Sequence, residues 1–218
     1  MKYPLLRFLY RIKAYHPKAW LLIENINSRL FGIFYFKRLT AKLQMTMSEL
    51  SSSGCRFRML TLNDLSALKE LLNSLEPGLQ SYFEPHSFSE KALIRQMTNK
   101  AFFMMGAFQG KQLIGYFFIR AGVNKKCFVG RLVHKNYRRK GIGHMMNKIM
   151  YDAAWQAGFR IFATFSMDNT FVIESHKNNP FIIYQNPLEN NYILVEFKRH
   201  DLSSENNHNH AEGEVPGA

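Results

Sequence analysis

The sequence predicts an α/β (α+β) protein, and three observations support this prediction. Short apolar runs rich in β-branched and aromatic residues alternate with segments whose apolar residues recur at helical spacing. Glycine, proline and polar turn residues separate these segments. The chain has 218 residues, 46% of them hydrophobic, which is enough to bury one sizeable core. We therefore expect a single domain with an appendage rather than two separate domains.

Composition divides the chain into four segments. Residues 1–46 are basic, rich in aromatic residues and predicted to be helical, and residues 47–54 form a linker that contains Ser-Ser-Ser-Gly. The folded domain spans 55–200. The tail, 201–218, is polar and predicted to be disordered. It carries His208 and His210, but two histidines in such a segment offer no fixed site, so we expect no metal.

The first half of the domain is predicted to form strands over 55–60, 101–108 and 112–122 and helices over 65–72 and 87–98. Thr61 and Asp64 can cap the first of these helices. Ser87 or Ser89 begins the second helix. Gly110 lies at the centre of a hairpin turn between two of the strands. The order is therefore strand, two helices and a hairpin.

The second half is predicted to form strands over 126–134, 160–166, 181–184 and 192–198 and helices over 146–157 and 169–177. Met146, Ile149 and Met150 share one face of the longer helix, and Gly158 supplies its stop. The chain therefore continues the alternation of strands and helices to its last predicted strand.

The first 44 residues contain nine Lys or Arg, nine aromatic residues and one acid, Glu24. One interpretation is an interfacial segment that lies on an anionic membrane. The other is a pair of helices that pack their aromatic side chains onto the main domain. Polar residues interrupt the most apolar stretch, 19–36, so we do not expect a helix that spans a membrane.

The formal net charge of +13 and the pI near 9.8 indicate an anionic ligand, substrate or surface. We expect no nucleic acid partner, because no nucleic-acid-binding motif accompanies the charge. Cys55 and Cys127 are too few for a disulfide framework, and no secretory signal is recognisable. The sequence therefore predicts a protein of the reducing cytoplasm.

An anion site is predicted at the turn after the strand 126–134. Gly141 and Gly143 let phosphate oxygens approach backbone N–H groups at a helix N-terminus, and three neighbouring cations, Arg138, Arg139 and Lys140, favour a pyrophosphate. A P-loop is excluded because its Gly-Lys-Ser/Thr ending is missing. A dinucleotide fingerprint is excluded because Met146 stands where it needs a third glycine.

The stretch LVHKNYRRKGIGHMMNKIM resembles the central motif of the GNAT acetyltransferases: a hydrophobic strand, an Arg/Gln-x-x-Gly-x-Gly/Ala turn and a helix. The predicted order of elements from 55 to about 198 is also similar. Residues 169–181 resemble the family's Asn-x-x-Ala-Ile-x-x-Tyr-x-x-x-Gly-Phe segment. The resemblance implies a mixed sheet of about six to seven strands flanked by helices, with an extra N-terminal helical segment. It also implies acetyl-CoA as the acyl donor.

The resemblance assigns roles to individual residues. Leu132 and Val133 resemble the residues whose backbone pairs with the pantetheine arm, and Asn169 resembles the polar residue that approaches the pantetheine amide or the acetyl group. His176 stands where many members have the tyrosine that protonates the thiolate. Pro180 replaces a glycine. The implied pyrophosphate loop consists of Arg138, Arg139, Lys140, Gly141, Ile142 and Gly143.

The family mechanism implies direct attack of an amine on the thioester, with no covalent enzyme intermediate. Glu84 and His86, in the loop where such proteins place the acceptor, are candidate bases, acting directly or through water. Cys127 lacks an evident Cys–His pairing, so we do not expect it to act as a nucleophile.

The sequence is compatible with several classes of acyl acceptor. We expect a small amine, and the sequence around residues 83–88 resembles a loop of members that acetylate an amino sugar in surface-polysaccharide synthesis. A protein or peptide N-acetyltransferase is an alternative. A non-catalytic CoA-binding module of the same shape is a further one, suggested by His176 and Pro180. Residues 1–44 are the segment through which we expect any peripheral contact with an anionic membrane surface.

Overall fold

The structure, a computed structural model, describes residues 16–52, 54–76, 86–176, 179, 181–188 and 191–198. The helices are α1 (Pro17–Phe34), α2 (Phe36–Leu50), α3 (Leu65–Asn73), α4 (Glu90–Thr98), α5 (Ile142–Gln156) and α6 (Thr170–His176). The strands are β1 (Arg56–Met59), β2 (Phe102–Gln109), β3 (Gln112–Ala121), β4 (Lys126–Val133), β5 (Arg160–Ser166), β6 (Ile182–Pro187) and β7 (Tyr192–Phe197). Short 3₁₀ turns, Leu62–Asp64 and Lys135–Tyr137, precede α3 and the turn before α5.

The strands form one seven-stranded sheet in the order β1-β2-β3-β4-β5-β7-β6. All neighbours are antiparallel except β4 and β5, which are parallel and are joined through α5. The sheet is therefore mixed, as predicted, and its one parallel pair lies near the centre.

Helices cover both faces of the sheet. On one face α2 and α5 pack against side chains such as Phe117, Cys127 and Ile161. On the other face α3 and α4 pack against Phe102, Tyr116 and their neighbours. Apolar burial on two faces supplies most of the driving force for this three-layer arrangement.

The second N-terminal helix is part of this core. Leu39, Leu43 and Met47 of α2 are buried against α5 and β1. The helix therefore continues to Leu50, four residues into the predicted linker, because Met47 has a place in the core. The hydroxyl of Ser51 then donates to the Met47 carbonyl at 2.7 Å.

Aromatic contacts hold the junction of the two N-terminal helices. Phe31 and Phe36 contact Phe103 of β2, with ring centroids 5.9 and 5.8 Å apart. Tyr35 meets Phe159 edge-on at 5.6 Å. The helix pair thus packs aromatic side chains onto the main domain. In the part of the chain that the structure describes, no helix combines the length and the apolar character needed to cross a bilayer.

Candidate active site

The two central strands separate after a short paired stretch. β4 and β5 pair at three positions, the last of which joins Phe128 to Phe162. β4 then continues to Val133 and β5 to Ser166, and these described residues form no further β4–β5 pair. The edge of β4 is therefore open from Val129 to Val133. An extended ligand could hydrogen-bond to such an edge as an added strand does.

The strand register shows which backbone groups face this opening. The His134 N–H donates to the Ile114 carbonyl at 2.9 Å, and alternate residues of an antiparallel strand point the same way. The N–H and C=O of Leu132 therefore face β3. Those of Arg131 and Val133 face the opening. We expected the backbone of Leu132 to pair with an extended ligand. Successive residues of a strand point their N–H and C=O groups to opposite sides, and those of Leu132 point to β3 and away from the opening.

The turn before α5 has the conformation that an anion site needs. Arg139 has φ +61° and Gly141 has φ +77°, both in the left-handed region. Gly141 is the N-cap, with no side chain to bond the first turn. The N–H groups of Ile142 and Gly143 lie at the start of the helix, where intrahelical acceptors are missing. The predicted cluster of free N–H groups at a helix N-terminus is therefore present.

Cations surround this turn at different depths. Arg139 and Lys140 are exposed, and Lys140 Nζ lies 5.0 Å from the centre of the Tyr137 ring. Arg138 is half-buried, and its Nη1 lies 4.0 Å from Glu76 Oε2, a loose ion pair. The helix dipole adds partial positive charge at the same place. The turn thus concentrates positive potential on its exposed side.

A fourth cation, Arg131, lies beneath the turn and was missed by the sequence analysis. Its Nε donates to Asn147 Oδ1 at 2.7 Å, and burial lowers its pKa. No described carboxylate pairs with it; the other polar neighbour is Tyr151. A Cβ on Gly143 would come 2.7 Å from its Nη1. The available signal was a single arginine in the otherwise apolar strand Cys-Phe-Val-Gly-Arg-Leu-Val.

Asn169 lies buried just after β5, at the start of α6. Its Oδ1 accepts from the Val172 N–H at 3.2 Å, which fixes the side chain as a helix cap and orients the amide. Its Nδ2 has no hydrogen-bond partner among the described residues. Capping therefore leaves the two N–H donors of Nδ2 for other acceptors.

Both ring nitrogens of His86 are engaged. Nδ1 lies 2.9 Å from the Ser87 carbonyl, which can only accept, so Nδ1 carries the proton. Nε2 lies 3.1 Å from the Tyr116 hydroxyl and accepts a hydrogen bond from it. The ring also packs edge-on against Phe88 and Phe102, and burial lowers its pKa. This geometry favours a neutral imidazole whose basic lone pair is already occupied.

Only some of the other predicted catalytic residues lie among the residues that the structure describes. Glu84 and Pro180 lie outside the described residues. His176 ends α6, and its side chain is also outside what the structure describes. Cys127 is fully buried in β4, and burial raises its pKa, so it cannot supply a thiolate nucleophile. Within the described ranges, no cluster of His, Cys, Asp and Glu could hold a metal ion.

An open strand edge that leads to a cationic helix N-terminus defines a class of protein, one that binds an extended, phosphate-bearing ligand on a mixed sheet. Residues 67–179 match the Acetyltransferase (GNAT) family, which is more than half of the chain. The chain belongs to this family. It is an acetyltransferase whose acyl donor is acetyl-CoA.

Solved structures show the same fold at low sequence identity. The GNAT domain of S. lividans PAT has a TM-score of 0.57 and 16% identity, over 66% of this chain and 89% of that one. PaiA N-acetyltransferase from Thermoplasma acidophilum, solved with coenzyme A, has a TM-score of 0.57 and 16% identity, over 66% and 99%. RimL, a ribosomal L7/L12 alpha-N-protein acetyltransferase, has a TM-score of 0.57 and 14% identity, over 68% and 91%. No curated protein matches the sequence.

Proposed function

We propose that this acetyltransferase acts on a small amine and holds its donor in the opening between β4 and β5. The observation that carries the proposal is the continuity between the open β4 edge and the N-terminus of α5. An extended arm along β4 would bring its phosphate end to the turn at 138–143. Strand edge and turn therefore fit the two chemically different parts of one donor.

The described residues fit that donor chemically. Arg131 and Val133 offer backbone N–H and C=O groups that can bond the amides of a pantetheine arm. The free N–H groups near Gly143 suit a pyrophosphate, with Arg138, Arg139 and Lys140 around it. Arg131 adds a guanidinium that lacks a carboxylate partner among the described residues. An anion bound at the turn would supply that partner.

Acetyl-CoA supplies the thioester that the amine attacks. In this proposal a β4 N–H that faces the opening donates to the thioester carbonyl oxygen as negative charge develops there. The Asn169 Nδ2 donates to an amide or acetyl oxygen of the donor. His176, as an imidazolium, returns a proton to the departing thiolate.

A base must take the proton that the amine loses. The geometry of His86 argues against a direct role, because Nε2 would first have to release the Tyr116 hydroxyl. We therefore favour Glu84, directly or through water, and assign His86 to holding its own segment, residues 86–89, against β3 through Tyr116. Glu84→Gln should lower turnover and leave donor affinity unchanged.

The acceptor proposal combines charge with the loop resemblance. A formal charge of +13 favours an acceptor that carries phosphate or carboxylate. An amino sugar linked to a nucleotide has both the amine and the phosphate. A protein or peptide N-terminus is the alternative; RimL, which shares the fold, is a ribosomal L7/L12 alpha-N-protein acetyltransferase.

Release of free CoA from acetyl-CoA, measured with a thiol reagent, tests the proposal against a panel of amines. The panel contains free amino sugars, nucleotide-linked amino sugars, simple polyamines and acidic peptides. Turnover with a small amine supports the proposal. Turnover with peptides alone would overturn the acceptor class. Tight acetyl-CoA binding in a thermal-shift assay without turnover on any amine would favour the binding module instead.

A further inference from the structure

Helix α1 is attached to the domain by its polar side. Glu24, Asn27 and Ser28 face inward and bond to the end of β3 and to the loops before β2 and after β3. The bonds run from Arg120 Nη2 to Glu24 Oε1 at 2.6 Å, Asn27 Nδ2 to Ala121 O at 3.0 Å, Val123 N to Asn27 Oδ1 at 3.1 Å and Lys100 N to Ser28 Oγ at 3.1 Å. Only Phe31, at the end of the helix, is an apolar residue fully buried on this side.

The opposite side of α1 is apolar and exposed. Leu22, Ile26, Leu30 and Ile33 follow one another at spacings of four, four and three, which places them in one stripe along the helix. Ile33 is 74% exposed. Ile23 and Phe34 widen the stripe. An amphipathic helix normally turns its apolar face towards the core. The reversed orientation of α1 indicates that its exposed apolar face binds another surface.

Charge indicates what covers it. Lys18 and Arg29 are exposed and, at 100° per residue, lie on the same side of the helix as Leu22, one turn before it and two turns after it. The one acid of the helix, Glu24, faces inward and is bound to Arg120. The outward face therefore combines apolar residues with cations and carries no negative charge. Residues 1–15, which precede it, add four cations and no acid.

We propose that the outward face of α1 docks the enzyme on an anionic lipid surface. The apolar stripe enters the boundary between headgroups and acyl chains, and Lys18 and Arg29 meet the headgroup phosphates. The enzyme then lies on the membrane. A second copy of the chain fits less well, because a two-fold pairing of this face would place Lys18 and Arg29 of both copies in one interface with no acid between them.

The test uses the full chain and two matched triple variants. Leu22→Ser, Ile26→Ser and Ile33→Ser together remove the stripe. Leu62→Ser, Ile94→Ser and Met45→Ser remove three exposed apolar side chains elsewhere and serve as the control. Deleting the N-terminal segment is unsuitable, because α2 belongs to the core. Circular dichroism and the acetyl-CoA thermal shift confirm that each variant is folded.

Co-sedimentation is measured with mixed phosphatidylcholine–phosphatidylglycerol vesicles and with pure phosphatidylcholine vesicles. We expect binding to the mixed vesicles only, weakened by salt as the Debye length falls from about 30 Å at 0.01 M to about 3 Å at 1 M. The stripe variant should lose more than about tenfold in affinity, and the control variant should not. Equal binding by both variants would overturn the proposal. The proposal would also be overturned if the full chain did not bind vesicles but formed a dimer that the stripe variant does not form.

Discussion

The guanidinium of Arg131 lies directly beneath Gly143, so close that a Cβ at residue 143 would stand 2.7 Å from Nη1. The glycine therefore makes room for a protein cation as well as for the approach of a ligand. Arg131 and the positive end of α5 lie close together, and no described carboxylate pairs with Arg131. This arrangement favours an anion above the turn.

Replacing Arg131 by methionine should weaken acetyl-CoA binding by at least about tenfold, because a hydrogen bond to a charged group contributes about 1.5–3 kcal/mol. The free protein should keep or gain stability, since the change removes a largely buried cation that has no charged partner. Calorimetric titration and thermal unfolding give the two readouts. Lys148→Met, which removes an exposed charge from α5, the helix that begins at the turn, is the control. Unchanged affinity in the Arg131 variant would exclude the assigned role.

Replacing Gly141 by alanine should lower the free energy of unfolding by about 1–2 kcal/mol. The reason is backbone strain alone: φ is +77°, and a Cβ there would meet nothing within 4 Å. Donor affinity should fall too, because relief of the strain moves the N–H groups of the turn. Gly54→Ala, also free of contacts but without a positive φ, should be close to neutral in urea unfolding. Similar losses in the two variants would contradict this explanation.

Two substitutions at Asn169 separate its cap from its proposed contact with the donor. Asn169→Ala should cost about 1 kcal/mol of stability, whereas Asn169→Ser keeps a capping oxygen and should cost much less. Both variants lack the Nδ2 donor, so both should lose turnover by about tenfold, the effect of about 1.4 kcal/mol in the transition state. Steady-state kinetics beside thermal unfolding measures the two effects. Full turnover in the serine variant would reduce Asn169 to a structural cap.

His86 should make stability depend on pH in the acidic range. Burial lowers the pKa of His86 in the folded protein below the unfolded value of about 6.5. At acidic pH the unfolded chain therefore binds a proton at His86 more readily than the folded chain does. Stability should therefore fall as the pH drops below about 6.5, with a slope of at most about 1.4 kcal/mol per pH unit from this residue.

His86→Gln should flatten that slope, because its amide can bond Tyr116 but does not titrate in this range. Urea unfolding of both proteins at several pH values measures the difference. The same variant should retain most of its turnover, since we do not assign His86 as the base. Loss of activity by orders of magnitude, with a shifted pH–rate profile, would restore His86 as a candidate base.

Local signals were enough to predict the sheet elements and the turn. Period-two and period-3.6 patterns, Gly110 at the hairpin and Gly158 after α5 placed the elements within a few residues, because each pattern depends on near neighbours in the chain. The turn at 138–143 was also visible, since its glycines and cations are contiguous. Family membership follows from the same stretch.

Tertiary structure alone decided the direction and partners of individual groups. Pairing with β3 turned the backbone of Leu132 away from the opening and left Arg131 and Val133 facing it. Packing brought Arg131 under Gly143, twelve positions later in the chain. It also turned the polar side of α1 inward and the stripe formed by Leu22, Ile26, Leu30 and Ile33 outward, although composition alone allowed either orientation. Such choices depend on contacts between residues distant in sequence, so no local pattern contains them.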